Sequence, residues 1–272
     1  MGERPEVVDH YRAHYRVFAA GVYEEVRRAA FGEDIGQNSW LTVDELDRFL
    51  SRLNLGSSTR LLDVGCGSGG PTLHVARQTG CHVVGVELSV EAVAEATRLA
   101  RETGLETGSS FLQADASQPL PFQDGTFDAL ICIDVINHLR DRAGVLGDWA
   151  RMLRPGGRLL FTDPVVITGI LDSEELAIRT SIGYFLFVPP GENERLLAAA
   201  AGLTVIDVED TTDHMAEIAR RRHDARAERA EALREIEGDA AFDGRQRFFD
   251  LVATLARDRR LSRFVYTAEG QT

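Results

Sequence analysis

Residues 61–71 read LLDVGCGSGGP: an apolar run, an aspartate, and glycines at 65, 67, 69 and 70. Glycines at this density let the chain turn sharply, and let a ligand press against backbone N–H groups at the start of a following helix. The spacing satisfies G-x-G-x-x-G (Gly65, Gly67, Gly70) and also G-x-G-x-G (Gly65, Gly67, Gly69); either match alone is weak. Glu87 closes the next apolar run, 20 residues beyond Gly67, where a carboxylate can accept from both hydroxyls of a ribose. Asp63, two residues before the first glycine, would oppose a pyrophosphate but suits a ligand with an ammonium group. Asp115, in QADAS, stands where it can accept from an adenine amino group. His138, in DVINHLRD, has an ordinary pKa near 6.5 that suits general-base work. Asp163, ending LLFTDP, could orient that imidazole or take a proton itself.

These residues need a frame that brings them to one edge. From about residue 60 to 164, β-rich runs (RLLDVG, HVVGVEL, SSFLQAD, FDALICID, RLLFTD) alternate with segments whose apolar residues recur at helical spacing. That alternation predicts βαβ units and a mostly parallel, Rossmann-like α/β sheet with helices on both faces. Ligands of such sheets bind at the carboxyl ends of the strands, where Asp63, Glu87, Asp115, His138 and Asp163 all fall. The expected division is an N-terminal helical lid (1–58), a cofactor-binding core (59–165) and a C-terminal part (166–272). The last part completes the sheet with strands at 203–211 and 261–268 and carries a helical cap over 212–259. Tyr11, Tyr15, Phe18 and Tyr23 recur at near-helical spacing in the N-terminal part.

In order along the chain, LLDVGCGSGG, VVGVELS, QADAS, PFQDGTFDAL and LRPGGRLLFTDP resemble the class I S-adenosylmethionine-dependent methyltransferases, over roughly residues 60–164. The nearer likeness is to small-molecule enzymes of the sugar O-methyltransferase, phosphoethanolamine and sarcosine–dimethylglycine type. The resemblance implies a seven-stranded sheet whose last strand is antiparallel, with S-adenosyl-L-methionine as cofactor and S-adenosyl-L-homocysteine as product. It implies that Gly65, Cys66 and Gly67 line the methionine and ribose, that Glu87 and Leu88 hold the ribose, and that Asp115 and Ala116 hold the adenine. Ile133 would offer its backbone to the methionine amino group. Gln37, Ser39 and Trp40 of GQNSW, with Tyr15, would close over the sulfonium end. His138 and Asp163 would form the catalytic pair. The acceptor is a small molecule, methylated at oxygen or nitrogen; the alternatives are C-methylation of an alkene or enol, an anionic diphosphate included, and, more remotely, an NAD(P)-dependent oxidoreductase.

Bulk properties narrow the partners. With 43 acidic against 30 basic residues the formal net charge is −13, which repels nucleic acid and anionic lipid surfaces. The three cysteines are scattered through the chain, so neither a disulfide framework nor a metal site is expected. The N-terminus lacks the apolar core of a signal peptide, and a cytoplasmic monomer or homodimer is the expectation. Tyr184, Phe185 and Phe187 are candidates for an acceptor pocket. The arginine-rich run 219–235 reads either as an anion site or as a solvated helix face, with Asp224, Glu228, Glu231 and Glu235 interleaved.

Overall fold

A computed structural model describes residues 21–199 and 202–270; Tyr11, Tyr15 and Phe18 lie outside them. Seven strands form one sheet in the order β3-β2-β1-β4-β5-β7-β6. β1 (Arg60–Val64), β2 (His82–Glu87), β3 (Ser109–Gln113), β4 (Phe127–Cys132) and β5 (Leu153–Ile167) pair in parallel. β7 (Leu261–Gly270) inserts between β5 and β6 (Leu203–Asp210), antiparallel to both. β1 registers Leu61 against Val83 and Leu62 against Leu130, so the glycine loop leaves the sheet at its centre.

Successive residues of the central strands feed opposite faces. Leu62, Leu130, Leu159 and Phe161 join one apolar cluster with Trp149 and Met152, while Leu61, Ile131 and Leu160 join another with Leu46, Phe49 and Val75. The helices start where the side chains cap them. Thr42 accepts from the Glu45 N–H at α2 (Val43–Leu50), Ser89 from the Ala92 N–H at α4 (Val90–Glu102), and Asp141 from the Gly144 N–H at α5 (Arg142–Met152). α3 (Gly70–Thr79) follows the glycine loop directly, with Pro71 in its first turn.

β5 begins earlier than RLLFTD suggests. The LRPGG turn is part of the strand: Phe127 pairs with Leu153 and Ala129 with Arg158, so the extra residues form a bulge that turns at Gly156 with φ 72°. Beyond β5 come α6 (Ser173–Arg179) and α7 (Glu192–Ala199), and between β6 and β7 lie α8 (Thr212–Ala227), α9 (Ala230–Glu237) and α10 (Asp239–Arg257). α8 and α10 pack with α1 (Gly21–Phe31) around Phe31, Trp40, Met215, Ile218, Phe248, Phe249 and Val252. This apolar cluster stands apart from the two that cover the sheet.

Candidate active site

The carboxyl ends of β1 to β4 open into one cavity of about 1270 Å³, walled on the other side by residues of α1, α8, α10 and the segment 36–41. The glycine loop forms its floor. Gly65, Gly67 and Gly69 have φ of 79°, 56° and 81°, a region that costs other residues about 1–2 kcal/mol. A β-carbon at Gly65 would lie 2.5 Å from a Val135 methyl. Gly70 serves a different contact: a β-carbon there would meet the Ile35 carbonyl at 1.6 Å, so this glycine lets the 35–37 segment dock on the start of α3.

Glu87 organises the loop as well as facing the cavity. Its carboxylate accepts from the Gly67, Leu88 and Ser89 N–H groups at 3.1, 2.8 and 3.0 Å. Burial pushes its pKa up despite these bonds. Asp63, 4% exposed, accepts from the Thr72 hydroxyl at 2.5 Å; burial, aided by the Glu87 charge, pushes its pKa up to about 7. Asp115 is exposed at the rim and accepts from the Ser117 N–H and hydroxyl at 2.9 and 2.6 Å. Leu88, Ala116, Cys66 and Ile133 line the same cavity.

The GQNSW residues also reach the wall, and the side chains of Gln37 and Ser39 serve their own loop. Gln37, 1% exposed, accepts from the Ile35 N–H and donates to the Glu33 carbonyl. Ser39 accepts from the Leu41 N–H. The Trp40 ring stacks on Phe248 and meets Phe249 edge-on at 6.2 Å. Its peptide is held from both sides: the N–H donates to Asp134 at 3.0 Å, and the carbonyl contacts the His214 ring at 3.1 Å.

Asp134 was not singled out from the sequence, yet it is held by several elements at once. Its backbone takes φ 55° at the end of β4. Its carboxylate accepts from the Thr162 hydroxyl at 2.7 Å and from Arg263 at 2.9 Å, and Arg263 also spans to Glu45 at 2.8 Å. The available signal was an aspartate in ICIDVINH, a residue type that tolerates the left-handed region.

His138 ends a 3-10 turn (Ile136–His138) and lines the cavity. Its Nδ1 lies 2.8 Å from the Tyr184 carbonyl, and the ring packs on Phe185 at 4.7 Å. A carbonyl can only accept, so Nδ1 carries the proton and Nε2 the lone pair. Burial pushes its pKa down to about 4. Tyr184 and Phe185 line the cavity and Phe187 does not.

The structure places Asp163 off the cavity wall that His138 lines, although its charge still acts on that ring. It is fully buried outside the cavity lining, where its carboxylate accepts from Arg142, from the Asn193 amide at 2.8 Å and from the Val165 N–H. Strand parity is the reason. Thr162 points to Asp134, so its neighbour Asp163 points to the opposite face, the one covered by α5. Arg142 also donates to the Leu186 carbonyl at 2.8 Å, and Leu186 N–H to the Asn137 carbonyl at 2.7 Å. Asp163 thereby anchors the chain segment beside His138.

A family model described as a methyltransferase domain matches residues 62–161. Methyltransferase GfsG of Streptomyces halstedii is 32% identical over 203 residues, 70% of this chain and 72% of that one. The chain belongs to the class I S-adenosylmethionine-dependent methyltransferases. The 27-O-demethylrifamycin SV methyltransferase of Amycolatopsis mediterranei is 31% identical, over 75% of this chain and 78% of that one. In fold, this methyltransferase matches the Haemonchus contortus phosphoethanolamine N-methyltransferase 2, solved with phosphomonomethylethanolamine and S-adenosylhomocysteine. That match has a TM-score of 0.81 at 20% identity and covers 97% of this chain and 60% of that one.

The cofactor end of the cavity suits S-adenosylmethionine. Asp63 and Glu87 are buried carboxylates whose pKa values burial raises, and among the described residues neither has an ion-pair partner. A ligand with a sulfonium and an ammonium supplies the missing positive charge. This makes binding sensitive to pH. With Asp63 set against the ammonium that S-adenosylhomocysteine keeps, binding is expected to require Asp63 ionised; below pH 7 the carboxyl is protonated and would have to release that proton. Affinity should therefore rise about tenfold from pH 6 to pH 8 and then level. Calorimetry in buffers of different ionisation enthalpy would read the released proton at pH 6. A flat affinity, or a rise that persists in Asp63→Asn, would remove Asp63 from the cofactor site.

Proposed function

We propose that this methyltransferase methylates a hydroxyl of a small-molecule acceptor, with neutral His138 as general base. The observation that carries the reading is the Nδ1 contact to the Tyr184 carbonyl, which assigns the lone pair to Nε2. When bound, S-adenosylmethionine supplies an electrophilic methyl group with a neutral thioether as leaving group. The protein must place the acceptor oxygen on the line of the departing bond, exclude water and remove one proton. His138 accepts the hydroxyl proton at Nε2 as the oxygen–carbon bond forms, and its depressed pKa returns that proton to solvent.

The other sequence assignments find support in placement. Gly65, Cys66, Gly67, Glu87, Leu88, Asp115, Ala116 and Ile133 share the cavity wall with His138, so a cofactor lying along the strand ends would reach the base with its reactive end. We read 59–165 as the cofactor-binding core, and α1 with α8 and α10 as the cap that keeps water from the acceptor; Phe31, Phe248 and Phe249 line the cavity from those helices. Among the described residues no helix is long and apolar enough to cross a membrane. The test is a panel of phenols, alcohols and amines incubated with methyl-labelled cofactor, with the labelled product assigned by NMR. Label on oxygen is the expected result; label on carbon or nitrogen of the preferred acceptor would overturn the hydroxyl assignment.

A further inference from the structure

The cavity wall is mainly acidic on one side and basic on the other; Arg140, stacked on Tyr184 in the loop after β4, is the guanidinium on the acidic side. Its carboxylates, Asp63, Glu87, Asp115, Asp134 and Asp141, all come from strand ends and the loop after β4. Facing them from the helices are five guanidinium groups: Arg27 of α1, Arg179 of α6, Arg222 and Arg226 of α8, and Arg245 of α10. The acids that Arg27, Arg226 and Arg245 pair with, Asp34 and Glu237, lie outside the lining.

The arginine run 219–235 divides between two environments. Arg220, Arg221 and Arg234 pair on the surface with Asp250, Glu217 and Asp243. Arg222 and Arg226, one helical turn apart, face the cavity instead. Packing fixes the Arg222 plane over Phe249 at 4.5 Å, with hydrogen bonds to the Ser39 carbonyl and Asn38 at 3.1 and 3.2 Å. Arg179, 1% exposed, lies between Phe185 at 4.1 Å and Phe248 at 5.0 Å. Phe185 touches His138, and Phe248 touches Phe249 at 5.5 Å. The base and both guanidinium groups are thus joined by one run of contacts, in which Arg179 bridges Phe185 to the Phe248–Phe249 pair. Planar guanidinium groups held rigid by stacking suit carboxylate and phosphate oxygens, and they repel a cationic acceptor.

We propose that the methyl acceptor carries an oxyanion, a carboxylate or phosphate, on an apolar body. The oxyanion seats against Arg179 and Arg222, and the body lies on Phe185, the ring that packs on His138. This assignment rests on the reading of the cavity as a methyltransferase acceptor site.

Calorimetry separates the two claims. S-adenosylhomocysteine is titrated first; if it fails to bind, the cofactor reading falls, whatever the acceptor probes do. With it in place, 2-naphthoate, 2-naphthyl phosphate and 2-naphthylmethanol are titrated as probes. At least one anionic probe should bind about tenfold more tightly than the neutral alcohol, the better of the two naming the anion, and the preference should shrink with added salt. Arg222→Gln should cut the preference to about threefold or less, and Arg222→Lys should keep most of it, with S-adenosylhomocysteine affinity unchanged in both. Equal or tighter binding of the neutral probe overturns the proposal, as does no anionic binding to the loaded protein. A preference untouched in both Arg222→Gln and Arg179→Gln would likewise place the anion elsewhere and overturn it.

Discussion

Replacing His138 with alanine is expected to lower kcat on the acceptor by about 10²- to 10⁴-fold, the range of a lost general base. S-adenosylhomocysteine affinity should stay within about twofold, because the assigned cofactor contacts come from other residues. A base with its pKa pushed down to about 4 is weak in the ground state. It suffices here because the acceptor oxygen becomes strongly acidic as it forms its new bond, and the proton leaves only then. The low pKa also sets the pH profile: His138 stays neutral through the physiological range, so kcat should not fall near pH 6.5 as it would for a solvated histidine. Stability carries the opposite signature. The unfolded chain takes up a proton as pH drops below 6.5, while folded His138 resists until about 4. His138 therefore contributes stability above 6.5, and that contribution declines between 6.5 and 4. His138→Ala should flatten this part of the stability curve. An unchanged kcat in the variant would end the general-base assignment.

The sheet and the strand ends were legible because alternating strand and helix patterns determine which residues arrive at one edge. Glu87, Asp115 and His138 were placed at that edge by this rule together with the spacing from the glycine loop and the family resemblance, and all three line the cavity. The same rule failed for Asp163, which lies at the right height in β5 but on the wrong face. Its face is set by which of two consecutive polar residues, Thr162 or Asp163, finds a partner, and the partners Asp134 and Arg142 come from other elements. Gly70 was read as part of a ligand loop, whereas its close neighbour is the Ile35 carbonyl, a contact between segments distant in sequence. Arg222 and Arg226 could not be told from the surface arginines around them, since charge spacing along a helix does not say which face the rest of the fold covers. In each case local pattern set the element, and tertiary packing decided what its side chains meet.

The second large effect concerns stability. Arg263 is fully buried with Glu45 on one side and Asp134 on the other, and it also donates to the Thr211 hydroxyl at 3.1 Å. Its charge is secure, because the two carboxylates hold its pKa above the ordinary arginine value against the opposing pull of burial. Arg263→Met would keep much of the side-chain volume but strand two nearly buried carboxylates. Breaking a buried pair in this way costs about 3–5 kcal/mol, a large part of the roughly 5–15 kcal/mol that holds a domain folded. The midpoint of urea unfolding should fall accordingly. Arg263→Lys keeps the charge but offers a point where the guanidinium spans three partners, so it should recover part of the loss and no more. The site should feel the change as well. Asp134 holds the Trp40 N–H and the left-handed turn at the end of β4, so cofactor affinity should weaken in Arg263→Met at temperatures where the variant is still folded. An unfolding midpoint equal to that of the parent chain would show that the three buried charges are not what locks β7 and α2 to the end of β4.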